Sequence, residues 1–136
     1  MESPTTKVNI ACLVDDDIVY IYGIKKMLKK NPLCKELKVF NNGYEALEYF
    51  KDLTYNTENI PDIIILDINM PVMDGWEFLD EFIPLQPKLN KEVVIYMASS
   101  SIDNHDIERA KSISVISDYI VKPITEAKLA QLFVAP

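Results

Sequence analysis

Five short apolar runs, each followed by a stretch of helical spacing, predict a single three-layer α/β domain. The pattern is a doubly wound (βα)5 arrangement, with a parallel sheet between two layers of helices. Two further observations agree. The runs "ACLV", "IIIL" and "VVIYM" are apolar on both faces, as strands covered from two sides require. At 136 residues, 49% hydrophobic and 26% charged, the chain is long enough for one domain with a real core and short for two.

Residues 8–14, 37–40, 63–66, 93–97 and 118–121 are the strand candidates. Ile21, Ile24 and Leu28 form one apolar stripe, and Ala46, Tyr49 or Phe50, and Leu53 form another, so each predicts an amphipathic helix. A third helix is expected over 76–82, kept brief by Pro84 and Pro87, with a fourth over 104–113 and a short fifth over 126–133. Asp17, Asp74, Asp103 and Thr125 stand where helix N-caps belong. "LTYNTENIPD" and "IPLQPKLNKE" read as surface loops, and Cys34 as a loop residue. No internal repeat, low-complexity tract or linker breaks the pattern. The expectation is therefore one domain over 1–136, its core at about 7–134, with no output domain.

A net charge of -7, with no Lys/Arg block beyond "KK" pairs, speaks against direct nucleic-acid binding, because a phosphate backbone demands a basic surface. Lys25, Lys26, Lys29 and Lys30 read as a solvated helix face. Cys12 and Cys34 lack metal-ligand spacing and a disulfide framework, which fits a reduced, cytoplasmic compartment. "MESPTTK" is no secretion signal, and no apolar run approaches the roughly 18 residues of a membrane span.

Ligands of an open parallel sheet bind beyond the carboxyl ends of the strands, near the point where strand order reverses. There the first strand delivers Asp15, Asp16 and Asp17, the third Asp67, the fourth Ser99 with Ser100 and Ser101 behind it, and the fifth Lys122 followed by Pro123. Acids at adjacent strand ends repel by about 4 kcal/mol per pair at about 4 Å, so a cation belongs among them. Hard oxygens in a shallow wet cleft suit Mg²⁺, and Lys122 suits a phosphoryl oxygen. Taken singly, these acids are turn residues or caps, the lysine a surface charge and the serines a polar loop. Their joint placement at successive strand ends is what points to a site.

"CLVDDD", "IIILDINMPVMDGWEF", Ser99 and "DYIVKPI" together resemble the receiver domain of two-component response regulators, a CheY-like, flavodoxin-like fold with strand order 2-1-3-4-5. The resemblance covers nearly the whole chain. It implies that Asp67 accepts a phosphoryl group from a sensor histidine kinase or phosphotransfer protein. It also implies that Asp15, Asp16, Asp67 and the backbone carbonyl of Asn69 hold Mg²⁺, for which Mn²⁺ or Ca²⁺ can substitute, while Lys122 and Ser99 bind phosphoryl oxygens. Ser99 would then move inward and Tyr119 swing from exposed to buried. That movement would remodel the surface of the fourth helix, fifth strand and fifth helix for a downstream protein. Such a chain is expected to be a cytoplasmic phosphorelay component, away from membranes, monomeric or dimeric on phosphorylation, and to catalyse only its own phosphorylation and dephosphorylation. With three serines in a row, Ser100 stays open as the alternative to Ser99. In "DINMPVMDG", Pro71 fixes φ and Gly75 is expected to supply unusual dihedrals. His105 reads as a solvated residue and Trp76 as packing at a helix start.

Two rivals remain. "DDDIV" fits the short pattern of haloacid-dehalogenase-like phosphatases, with Asp15 as nucleophile and Asp17 as acid, but leaves "DINMPVMDG" unexplained. The other is a receiver-fold interaction module that is never phosphorylated.

Overall fold

A computed structural model describes residues 8–55 and 59–134; "MESPTTK" and the middle of "LTYNTENIPD" lie outside the described residues. Strands and helices alternate: β1 Val8–Val14, α1 Ile18–Lys30, β2 Cys34–Phe40, α2 Gly43–Leu53, β3 Ile63–Asp67, α3 Gly75–Leu85, β4 Val94–Ser99, α4 Asn104–Ser112, β5 Ile116–Val121 and α5 Glu126–Val134. All strand pairs are parallel and the order is β2-β1-β3-β4-β5, so the expected doubly wound α/β fold is the one that forms.

Period-two alternation sends successive residues of each strand to opposite faces of the sheet. Ala11, Leu13, Ile63, Ile65, Tyr96 and Ala98 pack with residues of α1 and α5, while Cys12, Val14, Ile64, Leu66, Ile95 and Met97 pack with residues of α2, α3 and α4. On the second face Phe50 and Phe82 meet edge to face at 5.1 Å, and Phe78 stacks on Phe82 at 5.3 Å between ring centroids. The caps form where the sequence places them. Asp17 Oδ1 accepts from Val19 and Tyr20, Asp74 Oδ1 from Glu77, Asp103 Oδ1 from His105, and Thr125 Oγ from the Lys128 N–H.

Three expectations are corrected. Cys34 is not a loop residue: it opens β2 and pairs with Val8. The segment hid because β2 is an edge strand, and its Lys35, Glu36 and Lys38 interrupt the apolar pattern. α3 is not brief. It runs through Pro84 to Leu85 and continues into a 3-10 turn at Gln86–Leu89 that contains Pro87. Burial of Phe78, Leu79 and Phe82 holds that helix and outweighs the hydrogen bond that Pro84, exposed in its last turn, cannot donate. β5 starts two residues earlier than its apolar run, and a register shift opposite Ile95 and Tyr96 hides its period. Among the described residues, no helix is long and apolar enough to cross a membrane.

Phe50 is fully buried and meets Phe82 and Phe78, so Phe50→Ala is expected to lower unfolding free energy by about 3–5 kcal/mol in urea titrations.

Candidate functional site

After β1 the chain leaves for β2 on one side, and after β3 it leaves for β4 on the other, so a crevice opens between the carboxyl ends of β1 and β3. Val14 pairs with Leu66, and the next residues on the two strands are Asp15 and Asp67. Both are buried, at 0% and 4% exposure, while Asp16 faces solvent. One carboxylate oxygen from each of Asp15, Asp16 and Asp67 lies within 4.8 Å of the others. Lys122, at the end of β5, reaches across to 2.8 Å from Asp15 Oδ2 and 3.3 Å from Asp67 Oδ1. The sequence therefore named residues that do converge.

Asp15 Oδ1 accepts from the Asp17 N–H at 2.9 Å, which fixes its carboxylate. Its Oδ2 touches the ammonium as a charge pair without hydrogen-bond alignment and has no hydrogen-bond partner of its own. Three carboxylates facing one ammonium leave the cleft net negative. A triad of hard oxygen donors with excess negative charge fits a divalent cation such as Mg²⁺. Burial, reinforced by the Asp15 charge, pushes the Asp67 carboxyl up to about 6 against the opposing pull of Lys122. Burial likewise raises the Asp15 carboxyl. For Lys122, burial works to lower the ammonium, but the two acids outweigh it and hold it above the ordinary lysine range.

Ser99 closes β4 fully buried, and its Oγ accepts from the Ser101 N–H at 3.2 Å and lies 3.3 Å from the Ser101 hydroxyl. Its carbonyl accepts from the Lys122 N–H at 2.8 Å, tying the ends of β4 and β5. Ser100 is exposed. Tyr119 is half-buried, and its hydroxyl donates to the Ser101 carbonyl at 3.4 Å. Ser99 and Tyr119 thus meet at the same loop residue.

The turn after Asp67 corrects one expectation. Gly75 does not carry unusual dihedrals, because no glycine here has positive φ. Its reason is space: a Cβ would lie 2.5 Å from the Asp67 carbonyl oxygen and 3.0 Å from Ile68 Cα. The left-handed residue is Val72, at φ 69°, which centres a three-residue turn in which the Met73 N–H donates to the Pro71 carbonyl at 2.7 Å. A β-branched side chain there is strained. The Met73 carbonyl in turn accepts from the Gly43 N–H at 3.0 Å, where a Cβ on Gly43 would crowd it at 2.9 Å. Gly43 was missed, since "NNG" by itself signals only a turn.

Asn69 is exposed two residues past Asp67. His105 is exposed on α4, as expected. Trp76 does pack at a helix start, and it also bridges elements: its Nε1 donates to Asp106 at 3.3 Å and Arg109 lies 4.3 Å from its ring. The phosphatase reading is disfavoured, because Asp17, its required acid, is committed to capping α1.

Comparison with known proteins agrees with this geometry. Residues 11–133 match the response regulator receiver domain. The transcriptional regulatory protein ZraR of Klebsiella oxytoca is 33% identical over 117 residues, or 86% of this chain, which itself spans only 24% of that relative. A two-component response regulator from Cytophaga hutchinsonii superposes with a TM-score of 0.83 at 27% identity, over 93% of this chain and 95% of the other. The phosphorylated cyanobacterial phytochrome response regulator RcpA gives 0.72 at 29% identity, over 92% and 88%.

Without divalent ions, folded Asp67 keeps its proton to about pH 6 whereas an ordinary carboxyl releases it near 3.8. The native state then holds more protons across that window, and stability falls as pH rises through it. The loss is about 3 kcal/mol. Urea unfolding of Asp67→Asn should show a shallower slope, with a remainder from Asp15, whose shift has the same sign. Gly75→Ala should cost at least about 2 kcal/mol in thermal melts, and an unchanged Tm would refute the close-approach argument.

Proposed function

Because this chain belongs to the response regulator receiver family, a two-component signalling domain, we propose that it accepts a phosphoryl group on Asp67 from a sensor histidine kinase or phosphotransfer protein. The observation that carries the reading is the cleft itself. A carboxylate closing β3 shares one small volume with two further acids and the ammonium of Lys122.

An Asp67 carboxylate oxygen attacks phosphorus in line. The P–O bond to Asp67 forms as the P–N bond to the donor imidazole breaks, and the leaving imidazole takes up a proton. Asp15, Asp16, Asp67 and the Asn69 carbonyl would hold Mg²⁺, or Mn²⁺ or Ca²⁺ in its place, which would supply charge neutralisation for the phosphoryl oxygens and the acids. Lys122, which spans Asp15 and Asp67, turns to one phosphoryl oxygen, and the Ser99 hydroxyl donates to another. These contacts exist only in the phosphorylated form, which is what lets phosphorylation shift a conformational equilibrium. Ser99 would leave Ser101 to reach the phosphoryl group, and Tyr119, bonded to the Ser101 carbonyl, would follow the loop inward. The α4-β5-α5 surface would then present itself differently to a downstream protein. The phosphorylated form in which the 29% identical RcpA was solved supports the phosphoryl-accepting role. The chain would act in the cytoplasm as a signalling component, turning over nothing but its own phosphate.

Incubation with a small acyl phosphate and Mg²⁺ tests the assignment by intact mass. The wild type should gain one phosphoryl group, chelation should abolish it, and Asp67→Asn should take none. Asp15→Asn should slow labelling by at least about tenfold through loss of the cation. Labelling that survives in Asp67→Asn and vanishes in Asp15→Asn would instead establish the phosphatase chemistry.

A further inference from the structure

Lys122 is in contact with more than its two carboxylates. Its ammonium also lies 4.4 Å from the ring centroid of Tyr20, a residue only 9% exposed in the first turn of α1. The Tyr20 N–H donates to the Asp17 cap at 3.2 Å, so the loop that carries the acids also places this ring. The Tyr20 hydroxyl has no hydrogen-bond partner, which leaves the ring face as the contact the position makes with Lys122. Beside the pair lies a cavity of about 300 Å³, bounded by Val19, Gly23, Met27, Ser100 and Ile124 as well as by Tyr20 and Lys122.

These facts matter once a divalent cation occupies the acids. Asp15 and Asp67 would then both serve the cation, and their ion pairs with Lys122 would weaken. A lysine on a flexible four-carbon stem is then held less firmly by its acids and has open volume beside it. An aromatic face attracts an ammonium by its quadrupole and needs no carboxylate to do so. We propose that Tyr20 is a positioning residue, whose ring holds the Lys122 ammonium beside Asp67 when the cation draws on both of its acids, so that the lysine meets the incoming phosphoryl oxygen instead of turning away into the cavity. The inference rests on the reading of Asp67 as phosphoacceptor.

Three variants test it: Tyr20→Phe keeps the ring face, while Tyr20→Leu and Tyr20→Met keep apolar bulk without it. In saturating Mg²⁺ and acetyl phosphate, Tyr20→Phe should label within about twofold of wild type, and Tyr20→Leu about five- to tenfold more slowly. The second readout needs no chemistry. The Lys122 ε-methylene NMR resonances of the Mg²⁺-loaded protein should be shifted upfield by the ring current, in wild type and in Tyr20→Phe but not in Tyr20→Leu. Thermal melting confirms that the variants fold, and Tyr20→Met takes the place of a Tyr20→Leu protein that does not. The proposal is overturned if the leucine or methionine variant labels at the wild-type rate, if Tyr20→Phe is as slow as they are, or if the ε-methylene shift is absent in wild type. A wild type that takes no label at Asp67 would sink the phosphoacceptor reading instead, and the methylene resonances would still decide whether the ring holds the lysine.

Discussion

Asp15 and Asp67 are buried side by side at the carboxyl edge of the sheet with a single ammonium against them, and the domain is built around tolerating that arrangement. Two carboxylates out of water repel each other and resist ionisation, as the raised Asp67 carboxyl records. Lys122 relieves part of this, the Asp17 N–H fixes one acid, and the remaining imbalance favours a cation. An acid cluster short of positive charge fits a divalent cation such as Mg²⁺.

The backbone around the pair gives way where the acids need room. Gly75 lets the chain fold back on the Asp67 carbonyl, and Gly43 lets α2 approach Met73. Between them the strained turn at Val72 is pinned by hydrogen bonds to Pro71 and Gly43. The strain is local. Around it lie cores on both faces of the sheet, including the aromatic cluster beneath α3, and these rigid layers hold the turn in place.

Two contacts lead away from the cleft toward α4 and β5. Ser99 and Tyr119 both bond to Ser101, so displacement of the loop after β4 alters both. Trp76, one residue past Gly75, reaches Asp106 and Arg109 on α4. The same helix is therefore coupled to the start of α3 and borders the loop after β4. These contacts form a physical route by which the proposed charge at Asp67 would reach the outer surface.

Much of this was legible in the chain alone. Apolar strands with no polar face, stripes at helical spacing and four acid or hydroxyl caps set the βα order. Because strand ends carry ligands in such sheets, Asp15, Asp16, Asp67, Ser99 and Lys122 could be grouped before any distance was known. Those signals are local, arising within a strand, a helical turn or a loop. What the tertiary structure decided depends on neighbours remote in sequence. Gly75 is required by the Asp67 carbonyl rather than by its own dihedrals, Cys34 joins an edge strand because Val8 offers it a partner, and Pro84 stays helical because Phe78 and Phe82 are buried beneath it. The face of Tyr20 under Lys122, 102 positions apart in the chain, belongs to the same class. Periodicity shows which side of an element is apolar, but only packing brings two particular side chains within reach of each other.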